Sequence, residues 1–139
     1  MGDATALYSY GSYLQQPVIL PAGIHGISNG DLDYPWPKVT RGKQALQALA
    51  AAGSRVEPEA LFQILRDRTV PDNAGLPATG VGVQLERMLA PIFVTGKDYG
   101  TRSSTVLILK RDGHVYFAER SFGPAGELIT TVVHEYQIT

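Results

Sequence analysis
The hydrophobic positions run through three regimes along the chain: alternating, then helical, then alternating again. Leu7 to Leu14 alternates Leu7, Ser9, Gly11 and Tyr13 with Tyr8, Tyr10, Ser12 and Leu14, an aromatic-rich period of two that predicts a first strand. Val18 to Leu20 is a short apolar run between Pro17 and Pro21, and Gly23 to Asn29 reads as a further strand whose glycines permit close backbone approach. Asn29-Gly30 marks a turn, after which Pro35 and Pro37 force Tyr34 and Trp36 into extended conformations. Trp36, held rigidly between prolines, is either a plug over the core or a recognition aromatic.

The period then changes. Val39, Leu46, Leu49 and Ala50 form one stripe, with Lys43 and Gln47 outside it, and predict a helix from about Lys38 to Ala52 that Gly53 stops. Pro58 at a first-turn position and Leu61, Phe62, Ile64 and Leu65 predict a second helix ending near Arg66-Asp67-Arg68. The glycines and prolines between Thr69 and Gly82 predict an irregular loop, either functional or fixed by its own packing. A short helical turn is expected over Gln84 to Leu89, and extended chain over Ile92-Phe93-Val94. The closing third returns to alternation. In Tyr99 to Leu109, YGTRSSTVLIL, a glycine turn leads into a strand apolar on both faces, which predicts cover on both sides. Arg111-Asp112-Gly113 predicts a hairpin between Val106–Lys110 and Val115–Phe122, and Gly123 to Gly126 turns the chain into a last strand over Leu128 to Ile138. Strands, then helices, then a three-strand meander predict one α+β domain over residues 1–139, an antiparallel sheet with a layer of two main helices.

Composition narrows the function more than the fold. Apolar residues make up 44% and charged residues 18%, an ordinary globular balance. Twelve basic against thirteen acidic side chains leave no field to attract nucleic acid or an anionic membrane. The absence of cysteine removes disulfides, thiolate metal sites and cysteine nucleophiles, and fits a reducing compartment. The opening MGDATALYSYG has neither a basic n-region nor a long apolar run, which predicts no leader or membrane span and a cytoplasmic location.

Candidate chemistry is sparse. His25, His114 and His134 have no metal-ligand spacing, no nucleophile-elbow pattern is present, and Gly80-Val81-Gly82 is not a nucleotide fingerprint. No cofactor is predicted. Gly100, Thr101, Arg102, Ser103 and Ser104 together offer N–H groups, hydroxyls and a guanidinium fork suited to an anion; the alternative pairs Arg102 with a surface carboxylate. Asp31 and Asp33 either bond backbone beside the Asn29 turn or line a polar pocket. Glu119-Arg120 puts one charge on each strand face, with internal pairing or solvent as the default.

GIHGISNGDLDYPWPKVTRGK (Gly23 to Lys43), LFQILRDRT (Leu61 to Thr69), LPATGVGVQLERMLAPIFV (Leu76 to Val94) and YGTRSSTVLIL together resemble the transport and Golgi organisation 2 family, also called the NRDE family after its Asn-Arg-Asp-Glu motif. The resemblance is to the C-terminal part; the family's Met-Cys start and Asn-Arg-Asp-Glu motif have no counterpart here. It implies a fold like the C-terminal part of an N-terminal-nucleophile (αββα) hydrolase, in which a terminal cysteine supplies both nucleophile and base. In this chain Met1 precedes Gly2, so the implied site is a polar wall without a nucleophile: Asn29 as an oxyanion donor and Arg102 as a charge stabiliser, with Asp33 and Ser104 beside them. Two functions follow as expectations. One is a non-catalytic binding or structural module handling a small haem-like or lipid-like ligand; no Cys or Met-His pair supports haem-iron ligation, and His25, the nearest candidate, reads as structural. The other is an amidohydrolase half that needs a separate N-terminal chain. Either leaves an apolar sheet face or edge open, which predicts a homodimer or higher closed oligomer, partly through Leu7–Leu14 or the last strand.

Overall fold
The computed structural model describes residues 6–11, 16–53 and 55–138. Within them two antiparallel sheets and three α-helices form an α+β arrangement. Strands β1 (Leu7–Ser9) and β2 (Val18–Leu20) pair as a short ribbon with Leu7 opposite Leu20. The predicted first strand is thus shorter than its alternating pattern, since Tyr10 and Gly11 lie beyond β1 and Ser12 to Leu14 lie outside the described residues.

Helix α1 (Pro37–Ala51) starts where proline's fixed φ and missing N–H cost nothing, and ends at Ala52 before Gly53, whose φ of 66° is left-handed. Helix α2 (Pro58–Leu65) begins in the same way on Pro58. Helix α3 (Val83–Leu89) follows the long loop. That loop is fixed by its own packing: Asp72 accepts from the Gly75 N–H, Arg87 donates to Asn73, and the buried Glu86 carboxylate accepts from both the backbone N–H and the hydroxyl of Thr79.

The main sheet is the predicted meander of β3 (Ser103–Leu109), β4 (His114–Phe122) and β5 (Leu128–Gln137), in that spatial order. Its register places Val106 opposite Ala118 and Ala118 opposite Val133. Helix α2 lies on this face, and Phe62, Val106 and Ala118 form the buried cluster, flanked by Leu61, Leu65, Ile108 and Tyr116. Ala118 is 0% exposed, so its small side chain sets how closely the helix approaches. Arg120 seals the edge: its guanidinium stacks 4.0 Å above the Phe62 ring and pairs with Glu59, while Glu119 on the other face accepts from the Thr105 hydroxyl. A second apolar centre joins Phe93 to Phe122, ring edge to ring face at 4.8 Å, with Arg68 over Phe93.

Three expectations need correction. Gly23–Asn29 is not a strand: its backbone is irregular and then bent, because Gly26 is bonded by Asp33 through both its N–H and its carbonyl rather than by a neighbouring strand. Ile92-Phe93-Val94 is bent rather than extended, since the Phe93 N–H turns to the Asp67 carbonyl at the end of α2. β3 is covered on its α2 side only; Leu107 and Leu109 on the other face are 62% and 54% exposed, no described element packing over them.

Candidate functional site
A cleft of about 810 Å³ opens between α1, α2, the exposed edge of β3 and the irregular segment at Ile24–Ser28. Both bordering backbones contribute consecutive residues, Ile24 to Ser28 on one side and Thr105 to Leu109 on the other. Consecutive strand residues point to opposite faces, so the cleft runs along the strand's edge instead of over one of its faces. Its floor is apolar, with Val39 and Leu46 from α1, Leu61, Ile64 and Leu65 from α2, and Ile92. Three cationic side chains, His25, Lys38 and Lys43, share the lining.

The cations are positioned by Asp33. This residue has a φ of 58°, in the left-handed region that aspartate tolerates better than most residues. Its N–H donates to the Gly26 carbonyl at 2.7 Å, and its carboxylate accepts from the Gly26 N–H at 2.9 Å, which closes the 26–33 loop upon itself. The same carboxylate accepts from Lys43 Nζ at 2.5 Å and His25 Nδ1 at 2.7 Å. Gly26 is required here because a Cβ would lie 2.8 Å from Val39 Cγ1 on α1. The bond from Lys43, then those from His25 and the Gly26 N–H, hold the Asp33 carboxyl far below the usual carboxylate range.

His25 is spent in this arrangement. Nδ1 faces the Asp33 carboxylate and Nε2 faces the Pro21 carbonyl at 3.0 Å, so both nitrogens meet acceptors and both are best satisfied by donating. Its pKa is accordingly raised, mainly by Asp33 and then by Pro21, which favours the imidazolium. A doubly donating ring has no lone pair for iron or for a substrate proton, in keeping with the structural reading of His25. Lys38 differs: burial lowers its pKa, and a desolvated ammonium gains most from an anionic partner.

The four residues expected to form a polar wall take separate places. Asp33 stands behind the cleft and holds two of its cations. Asn29 lines a different groove of about 680 Å³ with Tyr34, Trp36, Leu76 and Pro77. Arg102 is exposed just before β3, pairing with no carboxylate among the described residues, while its carbonyl accepts from the Phe122 N–H. Ser104 is half-buried on β3 opposite Arg120. Neither the cleft nor the groove is lined by more than one of the four. Trp36 is half-buried outside the core, its ring edge-on to Tyr34 at 5.8 Å. Sequence reasoning missed Lys43, placed outside the α1 stripe. The signal was its spacing: four residues after Val39, it shares that residue's helix face.

Among the described residues no group of three or more His, Asp or Glu side chains is placed to hold a metal ion, and no helix is long and apolar enough to cross a membrane.

Comparison with known proteins supplies the lineage. The family of Transport and Golgi organisation 2 matches residues 1–124. Similar relatives are the Transport and Golgi organization protein 2 homologs of Bos taurus, 35% identical over 132 residues, and of Homo sapiens, 33% identical over 112 residues. These alignments cover 89% and 76% of this chain but only 48% and 41% of the relatives, so the chain spans about half their length or less. With most of its residues matched, the chain belongs to the Transport and Golgi organisation 2 family.

Proposed function
We propose that the chain is a non-catalytic binding module that holds a small amphipathic ligand, lipid-like or haem-like, in the cleft between α1, α2 and β3. The observation that carries this reading is an apolar floor sharing one lining with Lys38, Lys43 and His25. An apolar tail against Leu46, Ile64 and Leu65 gains about 25 cal/mol for each Å² withdrawn from water. An anionic head gains a counter-ion in Lys38, whose desolvation it relieves. Thiol chemistry has no nucleophile within these residues, because the sequence contains no cysteine. The relatives' names speak of transport, and holding a ligand is compatible with that description. The proposal includes a cytoplasmic setting, a homo-oligomeric state and kinship with the αββα hydrolase fold. It leaves Asn29, Arg102 and Ser104, which do not line the cleft, outside the ligand contacts.

Titration calorimetry with oleate and with haemin tests the cleft. One site per chain is expected for at least one of them, and Lys38→Glu weakens the bound anion roughly tenfold or more, the scale of a lost charge-assisted bond. No binding of either compound at about 100 μM, where even weak association registers, overturns the reading.

A further inference from the structure
The last strand, β5, is ten residues long, and among the described residues it has one neighbour, β4. All ten residues are exposed, including Leu128, Ile129, Val132, Val133 and Tyr136. A long, apolar edge strand is a template for another strand, and proteins ordinarily blunt such edges with proline, lysine, inward charges or bulges. β5 has neither proline, lysine nor arginine, and its register irregularity falls at its start, opposite Ser121 and Phe122. Its glutamate and histidine are drawn back onto β4: Glu135 lies 3.3 Å from His114 Nε2, and the His134 ring leans on Phe117. The other edge of the sheet, β3, opens into the cleft, so β5 is the edge left free for a neighbour.

We propose that β5 pairs antiparallel with β5 of a second copy across a two-fold axis, joining two three-stranded sheets into one of six strands. This deepens the homo-oligomer named in the proposed function and is independent of the cleft ligand.

The sequence of β5 restricts the register. A two-fold axis perpendicular to the sheet preserves each face, so it must pass through one residue that opposes itself. Centring on His134 or Glu135 would set like groups against each other, which is unfavourable for directly opposed pairs. Centring on Val132 sets valine on valine, Thr131 on the partner's Val133 and His134 on the partner's Thr130, all in the stretch of β5 beyond its register irregularity. No like charges then meet, and apolar side chains pack across the junction on both faces. A second copy is thus an occupant whose side chains are known and whose charges fit.

Sedimentation velocity across the micromolar range, with circular dichroism to confirm folding, tests the pairing. The unmodified chain is expected to be a dimer. Val132→Lys, which places two ammonium groups opposite each other, yields a folded monomer. Leu107→Lys, on the uncovered face of β3 and two strands from the proposed junction, remains a dimer. A monomeric parent at 100 μM, a folded Val132→Lys variant that stays dimeric, or dissociation by Leu107→Lys, which would mean stacking of sheet faces, each overturns the proposal. Should Val132→Lys fail to fold, hydrogen exchange on the unmodified chain decides. Slower exchange of β5 amides at higher concentration supports the pairing, and concentration-independent exchange overturns it. Calorimetry of the cleft ligand on the monomeric variant keeps this outcome separate from that of the binding module.

Discussion

At the scale of single residues, Asp33 organises the most charge with the fewest atoms. Its contribution has a defined pH window. The Asp33 carboxyl is lowered from 3.8, so the stability it confers is complete above that value and is lost as pH falls through its folded pKa. His25 is raised from 6.5, so its contribution is complete below that value and is lost as pH rises through its folded pKa. The network is therefore strongest between about pH 4 and 6.5, the span bounded by the two unfolded-state values. A His25→Gln variant is expected to melt below the parent at pH 5.5, with the gap narrowing toward pH 8.5; a gap that is constant with pH would deny the imidazolium. Gly26→Ala crowds Val39 and is expected to cost about 1–3 kcal/mol in denaturant unfolding, the usual scale of overpacking. Arg102→Ala, at an exposed side chain, leaves stability within about 0.5 kcal/mol. Asp33 was legible as a turn residue that bonds backbone. Its grip on Lys43 was not, because the contact spans ten residues and depends on the loop folding back onto α1.

At the scale of elements, legibility followed local signals. The Val39–Ala50 stripe with its Gly53 stop and Pro58 announce the two main helices, and Arg111-Asp112-Gly113 announces the β3–β4 hairpin because Gly113 supplies the positive φ the turn requires. Gly23–Asn29 misled because glycine permits a strand without demanding one; here its freedom serves a close approach to α1. The cover of β3 misled for another reason. Alternation says which residues share a face, whereas what lies over that face is decided by tertiary packing. Helix α2 is tied to the sheet chiefly through Phe62, which is 4% exposed. Phe62→Ala is expected to destabilise by about 3–5 kcal/mol, removing the buried ring and the platform beneath Arg120. A midpoint shift equivalent to less than 1 kcal/mol in guanidinium would mean that α2 is held by other contacts.

At the scale of the whole molecule, the described ribbon, helices and meander leave two different surfaces: a cleft with apolar floor and cationic lining, and a sheet face that no described element covers. On that second face exposed Leu109 and Tyr136 flank the buried Val115 in one row and Ser103, Ser121 and Thr130 form another, so the surface grades from oily to hydroxylated along the strands. Joining β5 to a second β5 would widen this face rather than hide it. A practical consequence concerns how the folded state is recognised at the bench. Dyes that fluoresce on apolar surfaces are commonly taken as reporters of partly unfolded, molten states. A properly folded sample of this protein is expected to light such dyes before any heating, so a dye-monitored melt would begin bright and lose contrast. The same sample should keep a near-ultraviolet circular dichroism signal from Trp36 and its edge-on neighbour Tyr34. Brightness without that signal would identify a genuinely loosened chain, while brightness with it would identify a native one whose uncovered sheet is being stained.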